Sequence, residues 1–329
     1  MAVLYLVEQG ATVRLRSGRV RVELDDALLQ DLPARKVRLV SVQGNVRLTT
    51  PALTFFLRNA VPVVYSGLDG SLYGVASAVA LAPAERLRAQ LSLAPERQLT
   101  LARQLVSAKL RSSLAVLERF APRHAAVRPM ATDLSSYLAR LGTATTLEQL
   151  RGLEGIAARR YYEGLQSPLG AYGFTGRNRR PPRDPVNAAL SYGYALLFAR
   201  VHLAIQQTGL HPEVGVLHAE SRRNPSLSLD LMEEFRIPII DLTVMRAFMR
   251  DHLKPLNHFE DKDGGIYLNA DGRKVMLQRF EERLQTEAPD PAGKQQPFQA
   301  LITAQAHKLA SAIVRGGRYT PFRLVAHGG

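Results

Sequence analysis

With no cysteine in its 329 residues, the chain can hold a metal ion only through His, Asp and Glu, a donor set that suits hard, oxygen-preferring ions. Three stretches concentrate candidate residues. The first, VLHAESRRNPSLSLDLMEEFR (216–236), sets His218 a dozen residues ahead of Asp230, Glu233 and Glu234. Ser228 is placed to cap a helix from Leu229 to about Phe235, and carboxylates in a first turn suit the helix dipole. Taken alone, these residues favour a solvated acidic helix beside a core histidine, because EVGVL leads into His218 with an apolar alternation.

The second stretch, TTLEQLRGLEGIAARRYYEGL, reads as a helix opened by the capping-box pattern Thr145 to Glu148. Its apolar stripe runs Leu150, Leu153, Ala157, Tyr161, and Glu154 lies against it. A carboxylate there is partly desolvated and needs a partner. A metal ion and a salt bridge to Arg159 or Arg160 serve equally well. Gly152 and Gly155 weaken a helix and make sense if something approaches closely.

The third stretch, GFTGRNRRPPRDPVNAALSYGYALLFARVHLAIQQTGL, begins with a loop carrying Arg177, Arg179, Arg180 and Arg183, of the kind that binds phosphates. Asp184 as N-cap and Pro185 at the first position then start a long apolar helix. Tyr161, Tyr162, Tyr172, Tyr192 and Tyr194 offer stacking surfaces, although aromatics at helical spacing are mostly core. The segment 185–199 is apolar enough to suggest a membrane, but it is bounded by Asp184 and Arg200 and is shorter than the ~20 residues a span needs. It reads as a buried core helix.

These stretches need a scaffold, and composition bounds it. Lys and Arg number 43 against 29 Asp and Glu, a formal charge of +14 that attracts polyanions, nucleic acid above all. Glu8 and Arg14 interrupt any signal-peptide layout at the N-terminus, so the expected location is cytoplasmic, with no membrane. Residues 3 to 75 alternate β-branched runs with turn signals at Ser17-Gly18 and Gly44-Asn45, and TPALTFFLRNAV between them reads as a short helix with Thr50 as cap and Pro51 at its first position. Beyond the Ala/Pro stretch ASAVALAPAERL the apolar spacing becomes three and four. The expected fold class is therefore α+β: a small β-rich N-terminal domain (1–82) followed by a larger all-α domain (83–329). QTEAPDPAGKQQP (285–297) reads as a disordered loop.

With these motifs in view, the chain resembles the CRISPR-associated endonuclease that serves as the integrase of spacer acquisition. RRPPRDPVNAALSYGYALL followed by VGVLHAESRRNPSLSLDLMEEFR carries the likeness, and GLEGIAARRYY is similar to that family's first metal-ligand motif. GNVRLTTPAL, VPVVYSGLDG, GGIYLNADGRKVMLQRFEERL and QAHKLASAIVRGGRYTPF extend it over nearly the whole chain. The resemblance implies a helical catalytic domain holding manganese or magnesium through Glu154, His218 and Glu233, with Asp230 as an alternative or supporting carboxylate. It also implies an N-terminal domain for dimerisation and partner docking. The homodimer would join a small adaptation partner protein in a heterohexamer on DNA, both the captured fragment and the CRISPR repeat. The implied reaction is attack of a 3′-hydroxyl on a phosphodiester, inserting captured DNA as a new spacer. Two departures, Asn224 and Leu242 where relatives carry basic residues, bear on peripheral DNA contacts. The rival reading is a non-catalytic DNA-binding scaffold; a phosphoesterase for small substrates would leave the positive charge unused.

Overall fold

The computed structural model describes residues 2–78, 83–219 and 225–324. The chain divides into two compact units, Met1–Leu81 and Ala82–Gly329. Asn224 lies outside the described residues.

In the first unit the period-two alternation forms strands. The strands are β1 (Ala2–Leu6), β2 (Thr12–Arg16), β3 (Arg19–Leu24), β4 (Ala27–Pro33), β5 (Val37–Gln43) and β6 (Arg47–Leu48), then helix α1 (Thr50–Arg58), β7 (Val63–Ser66) and β8 (Leu72–Ala76). β2 and β3 pair antiparallel with Val13 opposite Val22, and Ser17 and Gly18, at φ 47° and 72°, close the two-residue turn. Val13, Val20 and Val22 enter the core. Arg14 and Arg19 stay outside and pair with Glu23 at 3.0 Å and Asp31 at 2.8 Å.

The two sheets run β4-β3-β2-β6 and β1-β5-β7-β8. In the second, β1, β5 and β7 are parallel and only β8 is antiparallel. Parallel neighbours need a crossover, and α1 supplies it between β5 and β7, burying Ala52 and Phe56. The expected cap at Thr50 is displaced: Thr49 holds the cap position, and its hydroxyl donates to the Val13 carbonyl instead of bonding the helix.

The second unit contains α2 (Ala84–Leu91), α3 (Pro95–Phe120), α4 (Arg128–Arg140), α5 (Leu147–Gly164), α6 (Gln166–Leu169), α7 (Pro185–Gln207) and α8 (Ser226–Met232). A π-helical segment (Arg236–Asp241) joins this run to α9 (Leu242–Met249) and α10 (Pro255–His258). Then come β9 (Phe259–Lys262), β10 (Gly265–Leu268), α11 (Ala270–Gln285), β11 (Glu287–Pro289), β12 (Gln295–Pro297) and α12 (Phe298–Arg315).

This half is helical as expected, with two short hairpins set among its helices. One of them is the stretch expected to be disordered. Asp290 organises it, its carboxylate accepting from the Ala292 and Lys294 amides at 2.8 and 3.0 Å, which offsets the poor β-propensity of the Pro/Gly composition.

α7 is the one helix among the described residues long and apolar enough to cross a membrane, yet it is buried as a core helix. Asp184 caps it as expected, accepting from the Asn187 amide at 2.8 Å. Gly193 lets a neighbour close in, because a Cβ there would meet Ile240 Cγ2 at 2.7 Å. In α5, Leu150, Ala157 and Tyr161 are buried as their spacing predicts, and so are Tyr192 and Tyr194 of α7. The cap of α5 shifts one residue from Thr145 to Thr146, which accepts from the Gln149 amide, while the Gln149 side chain accepts from the Thr145 amide.

Candidate metal centre

Asp230, Glu233 and Glu234 are not solvated: their exposures are 0%, 3% and 0%. The helix starts three residues earlier than expected, at Ser226, with no side-chain cap. Ser228 falls inside it, its hydroxyl 3.2 Å from His202 Nδ1. This register turns the acids into the protein, and buried carboxylates demand partners.

Asp230 finds them on the chain entering α8. Its Oδ2 accepts from the Val216 and Leu217 amides at 2.6 and 3.0 Å, and its Oδ1 accepts from the His218 amide at 2.9 Å. The same Oδ1 lies 2.6 Å from His218 Nδ1. Both oxygens are engaged, so Asp230 acts as the bracket that orients the imidazole, and the other ring nitrogen, Nε2, faces Glu233 Oε1 at 3.9 Å. Burial works against a charged imidazole, but Asp230 and then Glu233 outweigh it and raise the His218 pKa.

Glu233 sits between cations. Arg236 Nε donates to its Oε1 at 2.9 Å, and Lys109 Nζ lies 2.7 Å from its Oε2. Burial pushes its pKa up, yet Arg236, Lys109 and His218 prevail and hold it at about 2. Lys109 also donates to Glu154 Oε1. One ammonium therefore joins Glu154 on α5 to Glu233 at the end of α8, and the two acids raise its pKa although burial alone would lower it.

Among the described residues, no three His, Asp or Glu side chains converge tightly enough to enclose an ion. Glu154, His218 and Glu233 do share one neighbourhood, with Lys109 supplying its positive charge. The expected arginine partners of Glu154 are engaged elsewhere: Arg159 with Glu163, Arg160 with Asp133 and Glu163. Among the described residues, no atom lies within 4 Å of a Cβ added at Gly152 or Gly155. Lys109 and Arg236 went unnoticed in the sequence. Lys109 left a signal, since it falls at three- and four-residue steps in the buried stripe of α3 that includes Ala102, Leu105, Val106, Ser113 and Val116.

Across the centre, Tyr194 donates to the buried Asp241, and its hydroxyl is 2.8 Å from that of Tyr162. Arg177 belongs to this interior: it donates to Asn187 Oδ1 at 2.7 Å and Ser191 Oγ at 3.1 Å, with its guanidinium 5.6 Å from the Tyr194 ring centre. Of the four loop arginines, Arg179, Arg180 and Arg183 are exposed.

Comparison with known proteins finds relatives over the whole chain. A curated CRISPR-associated endonuclease Cas1 of Thermus thermophilus is 51% identical over 321 residues, covering 98% of this chain and 99% of that relative. Two solved structures share the fold. A casposase bound to integration product superposes with a TM-score of 0.86 at 22% identity, over 100% of this chain and 95% of the other. A chain of a Cas6-RT-Cas1–Cas2 complex gives a TM-score of 0.82 at 22% identity, over 100% of this chain and 36% of that one. The model of the CRISPR associated protein Cas1 family matches residues 4–282, and the chain belongs to that family.

Proposed function

We propose that this protein is a divalent-metal-dependent DNA endonuclease and strand-transfer integrase that inserts captured foreign DNA into a CRISPR array as new spacers. The observation that carries this reading is the joint placement of Glu154, His218 and Glu233, with Asp230 bracing the histidine from behind. A carboxylate behind a histidine is a recurrent support for metal ligation. Glu233 Oε2 is buried and faces the Lys109 ammonium at 2.7 Å, a position where a metal cation would take over the same charge role. The donor set fits manganese or magnesium, with the histidine disfavouring calcium. Asp230 has no vacant oxygen, which favours Glu233 as the third ligand.

When bound, such an ion would polarise the scissile phosphate and stabilise the leaving oxygen. The residues do the rest. Asp230 fixes the imidazole so that Nε2 faces the site, Glu154 and Glu233 supply negative charge, and Lys109 balances that charge when no divalent ion is held. Arg179, Arg180 and Arg183 are available to DNA phosphates. In the reaction, the 3′-oxygen of the captured strand bonds to phosphorus, the bond from phosphorus to the repeat strand's 3′-oxygen breaks, and that oxygen takes up a proton as the attacking hydroxyl releases one. Water attacking in its place gives nicking.

The N-terminal unit serves dimerisation and partner docking, the partner being a Cas2-like protein in a heterohexamer, and the location is cytoplasmic. The likeness to chains solved with integration product and with Cas2 supports the DNA and the partner.

Purified protein is expected to show manganese- or magnesium-dependent cleavage and strand transfer, abolished in His218→Ala while duplex binding persists. Undiminished activity in that variant rejects the site. The Lys109 bridge keeps the scaffold reading in play; that reading requires salt-sensitive DNA binding and no metal-dependent product.

A further inference from the structure

His218 is carried by the segment 208–219, which has no regular secondary structure. On one side α8 holds it. Asp230 accepts from the Val216, Leu217 and His218 amides, and the Leu227 amide donates to the Pro212 carbonyl at 2.8 Å. The approach leaves no slack, because a Cβ on Gly215 would stand 2.7 Å from Ser226 Cβ and 2.8 Å from Asp230 Oδ2.

On its other side the segment meets α2. Gln90 is the buried residue of that helix, 6% exposed, and its side-chain amide makes three hydrogen bonds, all to this segment. Its Oε1 accepts from the His211 amide at 2.8 Å, and its Nε2 donates to the His211 and Val214 carbonyls at 3.1 and 3.2 Å. Buried backbone groups outside regular structure need partners. Gln90 supplies them here as a neighbouring strand would.

Packing does not duplicate these bonds. A cavity of about 140 Å³ lies against Val214, Gly215 and Val216 and is walled further by Leu91, Leu93 and Ile313. Atoms that line a void lack the contacts that would hold them. The chain entering His218 therefore has two anchors, Gln90 ahead of the cavity wall and Asp230 after it. With Asp230 alone, the chain is free to pivot into the cavity, and the imidazole turns with it.

We propose that Gln90 is a positioning residue for His218, clamping residues 211 to 214 so that Nε2 of the imidazole faces Glu233. The proposal rests on the metal-dependent function proposed above. It extends the support of the centre from α8 to α2.

Two variants test it. Gln90→Leu removes all three bonds at similar volume, and Gln90→Glu keeps the acceptor while removing both donors. In hydrogen exchange followed by mass spectrometry in EDTA, peptides covering 211–218 should lose protection in both variants while those of α12 keep it. Manganese binding, read from the electron paramagnetic resonance of the free ion, should weaken about tenfold, the low end of the loss when a group behind a metal ligand is changed. The manganese needed for half-maximal DNA cleavage should rise by the same factor, with the rate at saturating manganese and duplex binding within about twofold of the parent. Asp290→Ala, which weakens the fold at the β11–β12 hairpin instead, should leave manganese affinity at the parent's value.

Faster exchange at 211–218 with unchanged manganese affinity overturns the proposal, since Gln90 then serves the fold alone. An equal loss of affinity in Asp290→Ala overturns it as well, by tracing the effect to general stability. If Gln90→Leu does not fold, Gln90→Glu decides by the same readouts. A parent protein that binds no manganese removes the metal-dependent reading and this proposal together, whereas a parent that binds it no better than the variants removes the role of Gln90 alone.

Discussion

The segment that closes α8 has two sides, and adjacent carboxylates divide them. Glu233 faces Lys109, Arg236 and His218, and its pKa is about 2. Glu234 faces the C-terminal segment, where the Tyr319 hydroxyl donates to it, Gln305 Nε2 donates at 2.9 Å and the Phe322 amide at 2.7 Å. Burial raises the Glu234 pKa to about 7, and these neutral donors only partly oppose it. Burial is nearly the same on both sides, so the opposite outcomes come from the neighbours' charge. The cationic side balances Glu233 with the charges of Lys109 and Arg236. The neutral side anchors α8 and the last described residues to each other.

The comparison breaks most severely in Lys109→Met. Removing the shared ammonium leaves Glu154 and Glu233 facing each other, and breaking a buried pair costs about 3–5 kcal/mol. Urea denaturation in EDTA should show that loss, and manganese should recover part of it. Stability that is unchanged and indifferent to manganese would remove Lys109 from its assigned role.

Asp241 tests whether the neutral side extends further along the π-helical segment. Burial raises its pKa to about 6, against the bond from Tyr194. The native state then holds a proton that the unfolded chain releases near pH 4, so this group's stabilisation is fully present below about pH 4 and is lost as pH rises through about 6. Two pH units correspond to about 3 kcal/mol. Asp241→Asn should flatten that part of the stability profile, measured by denaturation between pH 4 and 7; an unchanged slope would assign the titration elsewhere.

The smallest effect is expected in Glu234→Gln. A glutamine oxygen can accept from Gln305 and Phe322 while its amide donates to the Tyr319 hydroxyl, which reverses its role, so the loss should stay below about 1 kcal/mol. A loss as large as that of Lys109→Met would mean that Glu234 works as a charge and that the contrast with Glu233 is wrong.

Much of this was legible because it is local. The stripe of α5 and the Asp184 cap of α7 follow from spacing within a few residues, which side-chain direction converts into burial. Local rules also misled. First-turn carboxylates are common on solvated helices, so Asp230, Glu233 and Glu234 read as surface until their register showed them buried. The Pro/Gly-rich stretch 285–297 read as disorder until Asp290 was seen to bond two amides of its own turn.

By itself the sequence determined the division into strand-rich and helix-rich halves, the buried character of α7, the exclusion of thiolate chemistry and, through its resemblance to a known family, the names of the candidate ligands. Periodicity, composition and motif order carry that information along the chain. Only the tertiary structure decided that Lys109 joins Glu154 to Glu233, that Asp230 spends both oxygens on the approach to α8, and that Arg177 turns inward. A buried charge takes whatever partner packing brings within reach, and here those partners come from segments far apart in the chain.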